Sequence, residues 1–588
     1  MYLRHSTFHK NGKTKTYWRL VRSVRIGKKV RQETVAELGE LDSQGRLRAH
    51  AMARRLGADQ EPSGLFEPVL EKEVIQIRLN AVGLERVRRF GDVWMGMKLW
   101  SMAGLDRFFE KNLPEGKEEI PWATMAEILA IARLCEPSSE LHIGEDWIRK
   151  TALADLLGVN EERINENRIY RGLDKVLPLK EELEDHLKTR WQTMFNVSYD
   201  LLLYDVTSTY FEGQCLQNPQ AKRGHSRDHR SDCKQVCIGL IVTRQGMPLG
   251  YEQFAGNVHD SKTVKGIVEK IEARYGKANR IWIWDRGMLS EDLRSWMQEG
   301  GRRYIMGLPK SELRKHESVL AQADGWKTVR DGVEVRYVSV ATDDGHPEQV
   351  LLVRSQDRKE KEAAMQTLFA ERIEKALEVL NRRREKAKKA LDLTQVQRQI
   401  GRILQRNSRA AALFEIHSQT TTDHPSGISL TWQCSLREHA RQLLSQGCYA
   451  LATNIAGWTE SDVWKAYIQL TEVEDAFRMQ KWQLEMRPIH HQKERRVQAH
   501  ILICFLSYVL WKVMEQWQSQ AGLGNSPRTI FEELGHIHSG DIVLPTTTGE
   551  CIRLRSIVKP ERPQKIILER LGIQIPRRMR IPQLVRQM

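Results

Sequence analysis

Between residues 199 and 310 the chain alternates apolar strand patterns with amphipathic helix patterns, and this order restricts the fold more than any other feature. Three consecutive strands come first, starting with the apolar run 199–207. A helix, a strand, a helix and a last strand follow, ending near residue 308. Such a series predicts an α/β fold built on a mixed sheet. Two acids, Asp205 and Asp285, stand within or directly after apolar strands of this sheet.

An ionised aspartate beside an apolar strand is energetically unfavourable unless it is hydrogen-bonded, paired or bound to a cation. If Asp205 and Asp285 lie on neighbouring strands they repel each other, and a divalent metal ion between them removes that repulsion. Oxygen ligands favour Mg²⁺, which keeps waters and phosphates in its other positions. For either aspartate taken singly, a turn cap or a loop hydrogen bond is the alternative explanation.

The helical pattern over residues 461–484 offers a third carboxylate. Tyr467, Glu474 and Lys481 are seven residues apart, so they drift by only about 20° per step and share one helix face. Arg478 joins that face one turn after Glu474. We therefore expect Glu474 to be the third metal ligand and Lys481 and Arg478 to hold phosphates. A solvated salt bridge between Glu474 and Arg478 is the competing interpretation.

The positive charge lies mainly at the two ends of the chain. The net charge is +16, and residues 1–50 hold 12 lysines and arginines against 4 acids, while residues 551–588 hold 10 against 2. Basic ends on a nearly neutral body indicate a polyanionic partner, of which nucleic acid is the commonest, although mild basicity also serves solubility. A hydrophobic content of 40% with 16 Trp excludes a wholly disordered protein.

The N-terminal region predicts a β-hairpin, with strands at 17–24 and 30–35 around a turn at 27–29. Its basic side chains Lys28, Lys29 and Arg31 are candidate phosphate contacts. The helical pattern that follows is compatible with a helix-turn-helix DNA reader or with a domain that only packs on its neighbour.

A highly charged segment separates Asp285 from Glu474. Residues 381–410 hold ten lysines and arginines against two acids, which suits either a solvated helical hairpin or a helix that follows DNA phosphates. The predicted domains are a basic hairpin region (1–80), a helical DNA-binding domain (81–197), a first core part (198–310), an insertion (311–447), a second core part (448–525) and a basic C-terminal tail (526–588).

Taken in order, these residues resemble an insertion-sequence transposase of the Asp-Asp-Glu class, whose catalytic core is ribonuclease H-like and interrupted by a large insertion. The resemblance covers most of the chain. It rests on Tyr204-Asp205-Val206-Thr207-Ser208-Thr209-Tyr210-Phe211, the loop 224–235, Gly256-Asn257-Val258-His259-Asp260-Ser261-Lys262, Trp284-Asp285-Arg286-Gly287-Met288, Val473-Glu474-Asp475-Ala476-Phe477-Arg478 and Arg487-Pro488-Ile489-His490.

One subgroup of these transposases has a Tyr-Arg-Glu-Lys signature on the helix of the third carboxylate. Tyr467, Glu474 and Lys481 match its spacing, but Leu470 stands where the arginine belongs, and Arg478 is our candidate replacement. In relatives the insertion can carry a Trp that receives a flipped base. Trp432 and Trp326 are the candidates, with core packing as the alternative for each.

The resemblance implies an enzyme that binds the terminal inverted repeats of its mobile element and performs DNA cleavage and strand transfer. Asp205, Asp285 and Glu474 would hold two Mg²⁺ ions, with Mn²⁺ as a substitute. The implied partners are double-stranded DNA, at the element ends and the target, and a second copy of the chain in a synaptic homodimer. The implied location is the bacterial cytosol, without a membrane.

Two other functions use the same residues: a metal-dependent nuclease without joining activity, and a catalytically decayed DNA-binding protein. The series His225, His229, Cys233 and Cys237 invites a zinc interpretation, but its regular spacing is not that of standard structural sites. Eight cysteines without a framework spacing indicate reduced thiols. The longest apolar run, about 501–511, is shorter than the roughly 18 residues of a membrane span.

Overall fold

The structure is a computed structural model that describes residues 2–10, 13–26, 29–41, 45, 46, 49, 76–277, 280–288, 290–340 and 348–579. It has two compact units: residues 1–78 with 546–550, and residues 79–545 with 551–588. In the first unit, strands β1 (Tyr2–Lys10), β2 (Lys13–Ile26) and β3 (Lys29–Glu40) form an antiparallel sheet in that order.

The N-terminal strands predicted from the sequence are therefore present. The predicted hairpin is the β2–β3 pair, in which Ile26 lies opposite Lys29. Lys28 falls outside the described residues, and only the backbone of Lys29 is described. Arg31 is exposed on β3, as a phosphate contact requires.

Residues 79–197 of the second unit form one strand and a block of helices. Pro121 stands at the N-cap of the third helix, whose residues Met125, Ile128 and Leu129 are buried. The elements are β4 (Gly83–Arg89), α1 (Gly91–Met102), α2 (Leu105–Asn112), α3 (Trp122–Cys135), α4 (Glu140–His142), α5 (Ile148–Lys150), α6 (Leu153–Leu157), α7 (Glu166–Val176) and α8 (Lys180–Phe195).

The central sheet confirms the predicted mixed α/β core. Its elements are β5 (Leu201–Tyr210), β6 (Gln235–Thr243), β7 (Pro248–Ala255), α9 (Ser261–Tyr275), β8 (Ile281–Trp284), α10 (Glu291–Glu299) and β9 (Arg303–Gly307). β5, β6 and β7 are antiparallel, whereas β8 joins β5, and β9 joins β8, in parallel. The order β7-β6-β5-β8-β9 is the ribonuclease H-like arrangement.

The predicted insertion begins by widening this sheet. After α11 (Glu317–Leu320), strands β10 (Lys327–Arg330), β11 (Val333–Val340) and β12 (Glu348–Ser355) pair in sequence, and β12 pairs with the later strand Cys448–Thr453. That later strand pairs with β9, so the complete sheet has nine strands. The insertion is thus continuous with the core through backbone hydrogen bonds.

Residues 356–434, which we call the insertion arm, have a hydrophobic cluster of their own, separate from the main core. Buried residues of α12, including Ile373, Leu377 and Leu380, pack there because their spacing places them on one helix face. The elements from the arm to the resumed strand are α12 (Gln356–Glu385), α13 (Leu393–Arg406), α14 (Ser408–Ala411), β13 (Phe414–Thr420), β14 (Ile428–Cys434), α15 (Leu436–Ser445) and β15 (Cys448–Thr453).

The single helix predicted over 461–484 is wrong: the structure breaks it at Gln469 and widens its end to a π-helical turn, Met479–Gln483. The elements are α16 (Glu460–Ile468), α17 (Leu470–Arg478), α18 (Glu494–Gln520), α19 (Pro527–Gly535), β16 (His538–Pro545), β17 (Cys551–Ile557) and α20 (Arg562–Arg570). β16 lies between β4 and β17 in a three-stranded sheet.

Helix α18 is long and apolar enough to cross a membrane by length and composition, with a hydropathy of 1.6 over its most apolar window. That window is 94% buried inside the protein, where α18 packs against α3 and α7. This is the environment of a core helix in a folded protein.

Candidate active site

The register of two parallel strands brings the predicted aspartates together. Leu203 on β5 pairs with Ile283 on β8, and each aspartate lies two residues further along its own strand. Side chains two residues apart leave the same face of a strand, and paired strands lie about 4.8 Å apart. Asp205 and Asp285 therefore occupy adjacent positions on one face of the sheet.

Asp205 has the more buried environment. Its Oδ1 accepts a hydrogen bond of 2.8 Å from the backbone N–H of Val206. The pKa of this carboxyl is raised to about 7, chiefly by burial and to a smaller extent by the negative charges of Asp285 and Glu474, while the hydrogen bond from Val206 and the guanidinium of Arg227 act in the opposite direction. The three predicted acids thus interact electrostatically, and the ionised form of Asp205 is disfavoured.

Asp285 is exposed at the end of β8, where Tyr467 fixes its carboxylate. The Tyr467 hydroxyl donates a hydrogen bond of 2.9 Å to Asp285 Oδ1. Gly307 follows Met306, the partner of Trp284, and so lies beside Asp285. A Cβ at Gly307 would lie 2.8 Å from the Tyr467 hydroxyl oxygen. Glycine at this position leaves the room in which the tyrosine reaches the aspartate.

Glu474 stands at the edge of the surface that α17 buries. Val473 and Phe477 are buried as α17 packs against β5, while Glu474 itself is exposed. Partial burial raises the pKa of Glu474, and the charges of Asp285 and Asp475 raise it further. Glu474 and Asp285 line the same cleft, so the acids of the helix and of the strand end share one opening to solvent.

Two predicted phosphate contacts lie outside this cleft. Arg478 forms an ion pair of 2.8 Å with Asp475, and its side chain is 71% exposed. Lys481 is buried, 2.8 Å from Asp228, a carboxylate that it shares with Arg487. Among the described ion pairs, Arg478 is paired with Asp475 and not with Glu474, the partner that the competing interpretation gave it. Of the predicted helix face, Tyr467 and Glu474 are the residues that line the cleft.

Two arginines that the sequence interpretation missed do line the cleft. Arg286 directly follows Asp285 and has no ion-pair partner among the described side chains. Arg358 comes from the first turn of α12, where it donates 3.1 Å to Glu362 and lies 5.0 Å above the ring of Tyr449. The position next to Asp285 was a usable signal for Arg286. No local pattern links Arg358 to residues more than 100 positions later.

The donor set of the cleft suits a hard divalent cation, because it consists of carboxylate oxygens whose mutual repulsion such a cation relieves. Their ligand atoms are not clustered tightly. Among the described His, Cys, Asp and Glu side chains, one group of three has its ligand atoms within 4.8 Å of one another, and it consists of Glu140, His491 and His500. The series from His225 to Cys237 forms no such group in the same part of the chain.

The two tryptophans considered for a flipped base are both packed against the protein. Trp432 lies against the hydrophobic cluster of the insertion arm. Trp326 donates its indole N–H to the carbonyl of Gln322 at 3.1 Å, and the guanidinium of Arg354 lies 3.7 Å from its ring centre. Both side chains are half-buried, and a role in receiving a flipped base stays a prediction for each.

Comparison with known families gives two matches. Residues 197–510 match the family described as "Transposase DDE domain", a range that includes the predicted first core part, the insertion and most of the predicted second core part. Residues 3–62 match "IS1634 family transposase, N-terminal domain". A comparison with curated proteins finds no match.

Solved structures similar to this chain include two transposase complexes. One is the cryo-EM structure of the piggyBac transposase synaptic complex with hairpin DNA, at 10% identity and a TM-score of 0.34, covering 77% of this chain and 81% of that one. Another is the Mos1 transposase paired-end complex with left transposon end, at 11% identity and a TM-score of 0.14, covering 32% and 60%. At these TM-scores the assignment rests on the family matches.

Proposed function

Because the chain belongs to the family of transposases with a DDE domain, we propose that Asp205, Asp285 and Glu474 are the catalytic carboxylates of this DNA transposase. The family makes it an enzyme that cleaves and transfers DNA with a divalent metal ion. The observation that carries the assignment of residues is geometric: Asp205 and Asp285 occupy adjacent positions on one face of the sheet, and Glu474 lines the same cleft as Asp285. Burial, with smaller contributions from the charges of Asp285 and Glu474, raises the pKa of Asp205 from 3.8 to about 7.

We assign the three carboxylates as ligands of two Mg²⁺ ions, which Mn²⁺ can replace. When bound, the metal activates the attacking oxygen and stabilises the leaving oxygen of an in-line displacement at phosphorus. The contribution of the protein is positional. Tyr467 holds Asp285 in one orientation through its hydrogen bond, and the buried β5 strand fixes Asp205. The attacking groups are water first and then the 3′-hydroxyl of the element end.

Arg286 and Arg358 are our proposed contacts to the phosphates next to the scissile bond, because both line the cleft with Asp285 and Glu474. Arg358 lies by the same cleft as Leu470, the position at which the subgroup signature has an arginine. We therefore propose Arg358, rather than Arg478, as the functional replacement for that arginine. Arg358 is also supplied by the insertion, which gives the insertion a part in catalysis.

The basic residues away from the cleft that the sequence predicts as DNA contacts remain proposals. The exposed side chain of Arg31 supports a role for β3 in phosphate binding, together with Lys28 and Lys29. Lys481 stays a proposed DNA contact, one that would have to leave its ion pair with Asp228. We propose that a homodimer synapses the two element ends in the cytosol, since cutting and joining both ends requires two active sites.

The test is DNA cleavage and strand transfer by purified protein, on labelled DNA with the inverted repeats that flank its gene, in Mg²⁺. Glu474→Gln is expected to lower both rates by about 1,000-fold or more, which corresponds to about 4 kcal/mol in activation free energy. Its matched control is Asp475→Asn, which removes a neighbouring exposed charge outside the cleft and is expected to retain activity.

The outcomes separate the possible functions. Loss of cleavage and joining in Glu474→Gln, with end binding retained, supports the assignment. Cleavage by the wild type without joined products identifies a nuclease. Binding without any cleavage by the wild type identifies a decayed DNA-binding protein. Full activity of Glu474→Gln would show that the third carboxylate has been misassigned.

A further inference from the structure

A second group of potential metal ligands lies outside the active-site cleft, where three distant parts of the chain meet. Glu140 is the first residue of α4, His491 lies in the segment before α18, and His500 lies on α18 itself. One ligand atom from each lies within 4.8 Å of the other two. Glu140 is 8% exposed and His500 is 7% exposed, so the group is nearly enclosed.

The distances within the group are close to those around a single metal ion. His491 Nε2 lies 3.1 Å from Glu140 Oε1. Two ligand atoms at 2.0–2.1 Å from a tetrahedral zinc ion are about 3.3 Å apart. The His491 carbonyl accepts a hydrogen bond from Cys215 Sγ at 3.5 Å, which holds the backbone of this segment.

Cys504 offers a further donor one helical turn beyond His500, outside the group of three whose ligand atoms all lie within 4.8 Å of one another. Cys504 is fully buried, and its Sγ lies 3.8 Å from His500 Nε2. A histidine and a cysteine at i and i+4 share one face of a helix. Without a metal ion, His500 Nε2 instead contacts the Met486 carbonyl oxygen at 3.2 Å. That contact is the alternative use of this imidazole.

The charges around the group permit a divalent cation. Arg133 is buried nearby and its positive charge opposes a cation. The carboxylate of Glu140 and a thiolate at Cys504 carry two negative charges, so a divalent ion bound to them forms a neutral group. Mixed oxygen, nitrogen and sulfur donors favour Zn²⁺ over Mg²⁺, which takes oxygen ligands.

We propose that Glu140, His491 and His500 form a structural zinc site, in which a rotation of the Cys504 side chain brings its thiolate in as the fourth ligand. Four protein ligands close the coordination shell, so the metal ion would stabilise the fold rather than act on a substrate. The metal ion would link α4, which belongs to the helical block, to α18 and to the segment between α17 and α18. That segment contains Arg487, which pairs with Asp228 in the loop after β5.

The experiment measures the zinc that untagged full-length protein retains. The parent protein carries Glu474→Gln, which weakens metal binding at the active site. Chelator-treated protein receives Zn²⁺, passes through a desalting column and is assayed for metal. About one equivalent per chain is expected. Adding His491→Gln should remove it, whereas adding His490→Gln, the exposed neighbour, should not.

Glu140→Gln, an isosteric change, is the second variant in case His491→Gln does not fold, and it should also lose the zinc. Co²⁺ provides an independent readout, since a tetrahedral site that includes a thiolate absorbs visible light and Cys504→Ser should reduce that absorption. Zinc should raise the thermal midpoint of the parent but not of Glu140→Gln. A parent that retains no zinc, or equal retention in Glu140→Gln and His490→Gln, would overturn the proposal.

Discussion

Replacing Asp205 by asparagine is expected to stabilise the metal-free protein above neutral pH while it abolishes DNA cleavage. Asparagine has nearly the same shape and can keep the 2.8 Å hydrogen bond from the Val206 N–H. It removes an ionised carboxylate that burial and the charges of Asp285 and Glu474 make unfavourable. Stability and activity should therefore change in opposite directions, a pattern expected where a catalytic group is held at the expense of the fold.

The magnitude follows from the shift in pKa. The pKa of Asp205 rises from 3.8 to about 7 in the folded protein. At 1.36 kcal/mol per unit, a shift of roughly three units corresponds to about 4 kcal/mol, which is an upper bound because solvent reaches part of the site. Below about pH 4 the carboxyl is protonated in both states and costs nothing. As the pH rises from about 4 to about 7, Asp205 ionises in the unfolded chain before it ionises in the folded protein. The free energy of unfolding therefore falls over this range.

The assay is urea unfolding in EDTA at about pH 4.5 and about pH 8, where the free energies of unfolding of wild type and Asp205→Asn are compared. The variant should be more stable by about 1–4 kcal/mol at the higher pH and by only about a quarter of that amount at the lower one, where the folded carboxyl is still protonated. Mg²⁺ should raise the wild-type midpoint at the higher pH and leave that of the variant largely unchanged.

Asp331→Asn is the matched control, because Asp331 is exposed in the turn before β11 and its replacement should not alter the pH dependence. The reasoning is refuted if Asp205→Asn is no more stable than wild type at about pH 8 in EDTA. It is also refuted if the control gains as much stability.

Two further predictions concern phosphate contacts. Arg358→Ala should lower the cleavage rate at least about tenfold, or about 1.4 kcal/mol, while Arg478→Ala changes it little, and single-turnover rates of the two variants decide between them. Arg398, Arg402 and Arg406 are exposed at four-residue spacing on α13, with no ion-pair partner among the described residues. Replacing all three by alanine should weaken DNA binding and reduce the slope of log affinity against log salt by up to about 3, and an unchanged slope would exclude this surface.

The sheet and its aspartates could be predicted because both depend on short-range patterns. A buried strand such as Ile281–Trp284 can be recognised from its apolar composition, and the acid that follows it can be read from the sequence without knowledge of its neighbours in space. The pairing of Asp205 with Asp285 then follows from strand order. The face of the helix carrying Glu474 was predicted less well, because the break at Gln469 and the π-helical turn after Arg478 shift the phase of every later residue.

The proposed zinc ligands show a different limit of the sequence. The regular series from His225 to Cys237 suggests a zinc site because its members are close along the chain. In the described structure it forms no cluster of ligand atoms. Glu140 and His491 are 351 positions apart and form a hydrogen bond of 3.1 Å. Only the packing of α4 against the core brings them together, and no spacing rule reports such packing.

The path of the chain between Asp285 and Glu474 explains how a large insertion can serve a small active site. β12 pairs with β15, and β15 pairs with β9 beside Asp285, so the insertion is held to the core by consecutive strands. α12 begins one residue after β12 ends, and its first turn carries Arg358 to the cleft. A displacement of the insertion arm would therefore move Arg358 relative to the carboxylates. If the arginines of α13 hold DNA as we predict, that DNA is linked through one helical hairpin to Arg358, the residue that we expect to position the scissile phosphate.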